Sequence, residues 1–162
     1  MDRIDKIIAQ WSEERPDLDV APFELVGRFK LISQHLSREM DKTFSAHGLT
    51  HASFDVLATL RRSGSPYGLS PGDLLASTMV TSGTMTNRID QLVKTGLVER
   101  IRNPKDGRSV IISLTDEGFT AVDAALTAHM ETQTRLTSDL SREDGATLIE
   151  LLSKFLTSLE KG

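Results

Sequence analysis

Four cations at one turn and a row of small polar side chains just before it are the residues of this chain best suited to chemistry. Arg100, Arg102, Lys105 and Arg108 surround a turn written Asn103-Pro104 and Asp106-Gly107, and Ser82, Gly83, Thr84, Thr86, Asn87, Gln91 and Lys94 crowd the segment ahead of it. Guanidinium and ammonium groups at a turn tip pair with phosphate oxygens, while hydroxyls and amides exchange hydrogen bonds with base edges. Together they suit double-stranded nucleic acid. Cations at a hairpin tip also serve simply to keep a solvated edge from pairing with other chains, so the elements that carry them decide between the two.

Val98, Ile101, Val110 and Ile112 flank the turn and predict a β-hairpin between Leu97 and Thr115. The segment before it predicts a helix from about Ser82 to Lys94, closed by Gly96. At about 100° per residue, Met85, Ile89, Leu92 and Val93 share one side, leaving Gly83, Thr84, Asn87, Gln91 and Lys94 on or near the other. Thr, Ser and Asn are poor helix formers, and an ordinary solvated face favours Glu and Lys. Accepting that cost suggests a binding surface. Ser70-Pro71-Gly72-Asp73 starts another short helix, so the order is helix, polar turn, helix, hairpin, which is a winged helix-turn-helix.

The flanks read as helices. Ile4, Ile7, Ile8 and Trp11 recur at helical spacing ahead of Pro16, and a longer pattern runs from about Pro22 to about Ala46 with Phe23, Val26, Phe29, Ile32, Leu36, Met40 and Phe44 as its stripe. His47-Gly48 closes it; Thr50 caps a helix carrying Phe54, Leu57 and Leu60, and Ser63-Gly64-Ser65-Pro66 stops that one. Beyond the hairpin, helices are expected from about Phe119 to Ser138 and from Glu143 to about Leu159. The fold class is mainly α with a small β-hairpin wing. N-terminal helices occupy 1–48, the winged helix-turn-helix 49–115 and C-terminal helices 116–162. Leu148, Leu151, Leu152, Phe155, Leu156 and Leu159 form a stripe wider than a chain this size can cover. A homodimer would use it; an internal helical hairpin is the alternative.

Charge and composition set bounds. The 162 residues carry a net charge of −4, yet Arg61 to Arg108 holds eight cations against four anions, a local +4 that leaves −8 for the remainder. A basic centre between acidic flanks still suits nucleic acid, because phosphate responds to the local field. The absence of cysteine excludes disulfides, thiolate zinc sites and thiol-based peroxide sensing. Of His35, His47, His51 and His129, no two are set as paired ligands on one helix face, since His47 and His51 fall on either side of the Gly48 break. No apolar run approaches the ~20 residues that span a bilayer, and no basic-then-apolar leader opens the chain, so a soluble cytoplasmic protein is expected. With no nucleophile-base pair, phosphate-cradling glycine loop or metal-ligand spacing, neither an enzyme nor a cofactor is expected.

The run from Ser82 to Leu92, then Gly96-Leu97-Val98-Glu99-Arg100, then Asp106-Gly107-Arg108 ahead of Leu114-Thr115 resembles the MarR family of winged-helix transcriptional regulators. The resemblance covers about residue 25 to the end. It implies a homodimer on a pseudo-palindromic operator, with recognition helices in successive major grooves and wing tips at the minor groove. Arg108 would be the minor-groove residue, positioned by Asp106. A module that keeps this fold for a protein partner is the competing reading, and the retained wing cations argue against it.

A narrower resemblance links the chain to the urate-responsive branch of that family, the HucR, PecS and TamR type. The branch implies an N-terminal Trp, an Asp early in a central helix, an Arg seven residues later and an Arg in the recognition helix, positions filled here by Trp11, Asp55, Arg62 and Arg88. Their chemistry fits a small anionic aromatic ligand. An indole stacks on a flat ring and donates its N–H, Arg62 grips a delocalised anion with its planar fork, and Asp55 and Arg62 return to nearly the same helix face. Arg88, on the flank of its helix, couples such a pocket to the DNA reader, and anion repulsion at Asp55 supplies the force. Plainer readings stand beside these: Trp11 as a helix anchor, Asp55 and Arg62 as helix-dipole partners, Arg88 as a phosphate contact, and a regulator answering a different phenolic or aromatic ligand or none.

Overall fold

The computed structural model describes residues 2–78, 82–103 and 106–161, with the side chains of residues 82–84 outside that description. It divides into two compact units, Met1–Lys42 and Thr43–Gly162.

The first unit holds α1 (Arg3–Glu14) and most of α2 (Ala21–Ala46). Asp2 caps α1 by accepting the N–H groups of Ile4 and Asp5 at 2.7 and 3.0 Å, and the Asp5 carboxylate accepts the Asp2 N–H in return. Two orphan donors are satisfied by this capping box. The Arg28 guanidinium gathers Asp2, Glu24 and Asp5, bridging α1 to α2. Gly27 leaves room for Ile4, whose Cδ1 lies 2.9 Å from where a Cβ would stand. Of the α1 stripe Ile4 is buried, Ile7 and Ile8 are half-buried, and Trp11 is exposed.

The second unit is built on α3 (His51–Arg62), α4 (Pro71–Ser77), α5 (Ser82–Lys94), α6 (Asp116–Leu136) and α7 (Arg142–Glu160), with strands β1 (Gly68–Leu69), β2 (Val98–Asn103) and β3 (Asp106–Leu114). Val56, Leu57 and Leu60 of α3, Leu74 of α4, Ile112 of β3 and Val122 and Ala125 of α6 form a core from which solvent is excluded. Four helices of this unit open on a hydroxyl cap: Thr50, Ser70, Thr115 and Ser141 accept an N–H from the third residue on. Gly48 and Gly96 take the left-handed turns, φ +69° and +76°, that end α2 and α5.

Three expectations change. The wing is a three-stranded antiparallel sheet in the order β1-β3-β2, with Gly68 opposite Ser113 and Leu69 opposite Ile112. A two-residue strand offers no periodicity to find. Gly68 lets the strand pack closely there, since the Ile111 side chain stands 2.8 Å from where a Cβ would lie and would have to shift. Helix α6 begins at Asp116, three residues before Phe119, because Thr115 rather than a later residue supplies the cap. The internal helical hairpin fails as an account of the C-terminal stripe: α7 contains no buried residue, and Ile149, Leu151, Leu156 and Leu159 each expose more than half their surface. Among the described residues no helix is long and apolar enough to cross a membrane, and no group of three His, Asp or Glu is arranged to hold a metal.

Candidate nucleic-acid interface

Helix α5 turns Met85, Ile89 and Leu92 inward, each about 3% exposed. Thr86, Asn87, Gln91 and Lys94 are thereby left exposed, the face that the sequence assigns to base edges. Ser82 and Gly83 open the same helix with Thr84, but their side chains lie outside the described residues, as does all of Lys105.

The hairpin brings its cations to the surface in different ways. Arg102 pairs across the ladder with Val110, and Asn103 with Asp106. Arg108 is exposed, and its backbone N–H donates to Asp106 Oδ1 at 3.1 Å. Asn103 donates to Ser109 Oγ at 2.9 Å, and that hydroxyl donates to the Asp106 carbonyl at 3.1 Å. These bonds stiffen the tip from within. Arg100 is not a tip residue: it stands in mid-strand opposite Ile112 and forms an ion pair with Asp90 of α5.

The base of the wing is locked to the end of α5. Thr115 Oγ1 donates to the Gly96 carbonyl at 2.6 Å and accepts the Gly118 N–H at 3.0 Å, while its own N–H donates to the Leu97 carbonyl at 3.2 Å. A Cβ on Gly118 would lie 1.9 Å from that same Leu97 oxygen, an impossible approach, so only glycine fits. Leu114, beside it, is buried. Sequence reading singled out Leu114-Thr115 without its reason and missed Gly118; a glycine in the first turn of a well-capped helix was the available signal.

The four residues of the ligand reading divide between the units. Trp11, in the first, is 49% exposed and lines a recess of about 290 Å³ with Leu18, Asp19, Val20 and Phe23. In the second, Asp55 lies half-buried in the second turn of α3, past the first-turn position that dipole pairing needs. Arg62 ends α3 and donates to the Ser77 carbonyl, closing α4. Arg88 is half-buried, and its Nε, wholly inaccessible, has no hydrogen-bond partner among the described residues. A donor in that state is costly and rare.

Sequence reading also passed over two side-chain clusters, one half-exposed around Arg61 and one buried around His129. Arg61 forms a bidentate pair with Asp123, at 2.8 and 3.4 Å, and lies over the rings of Tyr67 and Phe119. The Asp123 hydrogen bond raises its already high pKa, outweighing desolvation. His129 packs against Phe44 and Phe54, ring centroids 5.0 and 5.2 Å away. Gln133 lies 2.8 Å from its Nε2, and its Nδ1 has no partner among the described residues. Burial, then the neighbouring His51, hold its pKa below the usual histidine value.

Two short helices, a third with a polar outer face and a sheet locked to its end constitute a winged helix-turn-helix, a class that reads duplex DNA. The MarR family model matches residues 47–109. HTH-type transcriptional regulator PecS of Dickeya dadantii (strain 3937) is 39% identical over 151 residues, 93% of this chain and 91% of that protein. The transcriptional repressor YetL of Bacillus subtilis (strain 168) is 27% identical over 95% of this chain and 92% of its own. Among solved structures, a mutant MarR from E. coli complexed with operator DNA is 28% identical with a TM-score of 0.72, covering 90% of this chain and 97% of that one. AbsC, a MarR family transcriptional regulator from Streptomyces coelicolor, shares the fold at 21% identity and a TM-score of 0.76, covering 90% and 99%. The chain belongs to the MarR family and is a DNA-binding transcriptional regulator rather than an enzyme.

Proposed function

We propose that this regulator is a homodimeric repressor, released from a pseudo-palindromic operator by a small anionic aromatic ligand such as urate or a related purine. The observation that carries the ligand reading is Arg88. Its buried Nε lacks an acceptor among the described residues, it stands on the flank of the reading helix, and an anion would complete it. Ligand binding that recruits Arg88 shifts α5 relative to the wing, and the population moves toward the form that releases DNA. Asp55 and Arg62 share a face of α3, Arg62 as the cation for the ligand and Asp55 as the charge it is set against; Trp11 is assigned the stacking role. Arg62 must give up its bond to the Ser77 carbonyl to take that part.

The uncovered apolar stripe of α7 supports the dimer, and two protomers reading half-sites support the palindrome. Repression is supported by the related YetL, a transcriptional repressor. In DNA reading, Thr86, Asn87 and Gln91 contact base edges with Ser82, Gly83 and Thr84 at the helix start, and Arg102, Lys105 and Arg108 contact the backbone, Arg108 in the minor groove. A cytoplasmic location follows from that role.

The test is a gel-shift titration on the DNA flanking the chain's own gene, with urate, xanthine and other purines. Binding lost on adding a purine, and retained by Asp55→Asn and Arg88→Gln variants, is the expected result. Binding indifferent to every purine, with the lone Trp11 fluorescence unquenched, discards this ligand class.

A further inference from the structure

The reading helix carries a single carboxylate, Asp90, within Ser82–Lys94. It lies one turn from Asn87 and from Lys94, bordering the exposed face on the side opposite Arg88. An anion beside a phosphate-facing surface works against binding. Asp90 is not left bare, because Arg100 of β2 pairs with it across the gap between helix and wing. Both side chains are about half exposed, 54% and 43%, so the pair adds little to folding.

Its position suggests a different task. The wing is fastened to α5 at its base by the Gly96, Leu97 and Thr115 bonds, and beyond that base the strands project toward Arg102 and Arg108. Asp90–Arg100 is the salt bridge joining α5 to β2 among the described residues. Strand β1 holds the β3 side of the ribbon at Ser113 and Ile112; at the same level the ion pair fastens the β2 side to α5, and that fastening fixes the angle between wing and reading helix. We propose that Asp90 and Arg100 are positioning residues, setting the wing so that Arg102 and Arg108 meet the duplex backbone in register with Asn87 and Gln91. This rests on α5 and the wing being the DNA surface.

The test turns on a sign. A duplex selected by the wild-type chain from a randomised pool is compared with a scrambled duplex of equal length. If Asp90 positions the wing, Asp90→Asn weakens binding to the selected duplex about twofold to fivefold although it removes a repelling charge. Binding to the scrambled duplex is unchanged or slightly tighter, and the melting temperature holds. Asp90→Glu, which keeps the pair, restores the preference, and Asp90→Asn combined with Arg100→Gln is no weaker on the selected duplex than Arg100→Gln alone. The proposal is overturned if Asp90→Asn tightens binding to both duplexes with a steeper salt dependence, because Asp90 is then only a charge. It is equally overturned if Arg100→Gln weakens both duplexes and lowers the salt slope while Asp90→Asn does nothing, because Arg100 is then a direct phosphate ligand. A wild-type chain that selects no duplex removes the DNA surface itself, and the proposal with it.

Discussion

The base of the wing and helix α7 sit at opposite extremes of self-sufficiency. At the wing base Thr115 makes three hydrogen bonds to chain segments on either side of the hairpin, and Gly118 approaches the Leu97 carbonyl so closely that no side chain fits. Helix α7 has an equally regular sequence, a capping Ser141 and a stripe of leucines with Phe155, yet none of its residues is buried. The contrast separates two kinds of order. The wing base needs only its own chain, because its partners lie within about twenty residues; α7 presents apolar surface that the rest of the chain leaves exposed, the surface the proposed dimer would use.

The comparison breaks most severely at Gly118. Gly118→Ala forces a methyl into the Leu97 oxygen, and a loss of about 3 kcal/mol or more in urea unfolding is expected, with the hairpin and α6 displaced together. A loss below about 1 kcal/mol, the ordinary cost scale of glycine and alanine in helices, would mean that the wing base yields. At the other extreme, Phe155→Asp leaves the single chain folded and abolishes self-association. Sedimentation is expected to report a dimer for the wild type and a monomer for the variant, with matching circular dichroism. A wild-type monomer at micromolar concentration would remove the contrast.

Smaller effects sharpen it. Thr115→Ala loses the helix cap and the Gly96 bond, a cost of about 1–2 kcal/mol, while the same change at Ser141, capping the uncovered α7, costs the single chain less. His129 gives a pH signature to the buried side. Its folded-state pKa lies below the ordinary value of 6.5, through burial and then the nearby His51. The unfolded chain therefore binds a proton that the folded one refuses. Stability is full above that ordinary value and declines as pH falls through it, until the folded state also takes the proton. Chemical unfolding at several pH values is expected to follow this course for the wild type and to flatten for His129→Phe; identical pH profiles would contradict it.

What the sequence disclosed follows the same division. Local order was readable: the caps Thr50 and Ser70, the breaks at Gly48 and Gly96, and the inward triad of Met85, Ile89 and Leu92 all rest on residues a few positions apart. The hairpin was visible from Val98, Ile101, Val110 and Ile112, because alternation and turn chemistry are local signals. Contacts between distant segments were not. Strand β1 has only Gly68 and Leu69 and exists because β3 offers it an edge. Arg100 looked like a tip cation because nothing near it in sequence announces Asp90 as its partner. Arg62 carried a plausible ligand role and also closes α4, since its bond to Ser77 spans fifteen residues that no periodicity links. The buried Arg88 Nε is likewise a product of packing, and it gives the ligand reading physical content that spacing alone did not supply.

The reading of α5 and the wing as one DNA surface is tested most directly by titrating the selected and scrambled duplexes with the wild type, Asn87→Ala and Arg108→Ala across a range of salt. Asn87→Ala is expected to lose about 1–3 kcal/mol on the selected duplex and almost nothing on the scrambled one, while Arg108→Ala weakens both and lowers the salt slope by about one per protomer. If neither variant alters affinity or slope, duplex DNA is held by some other face of the protein.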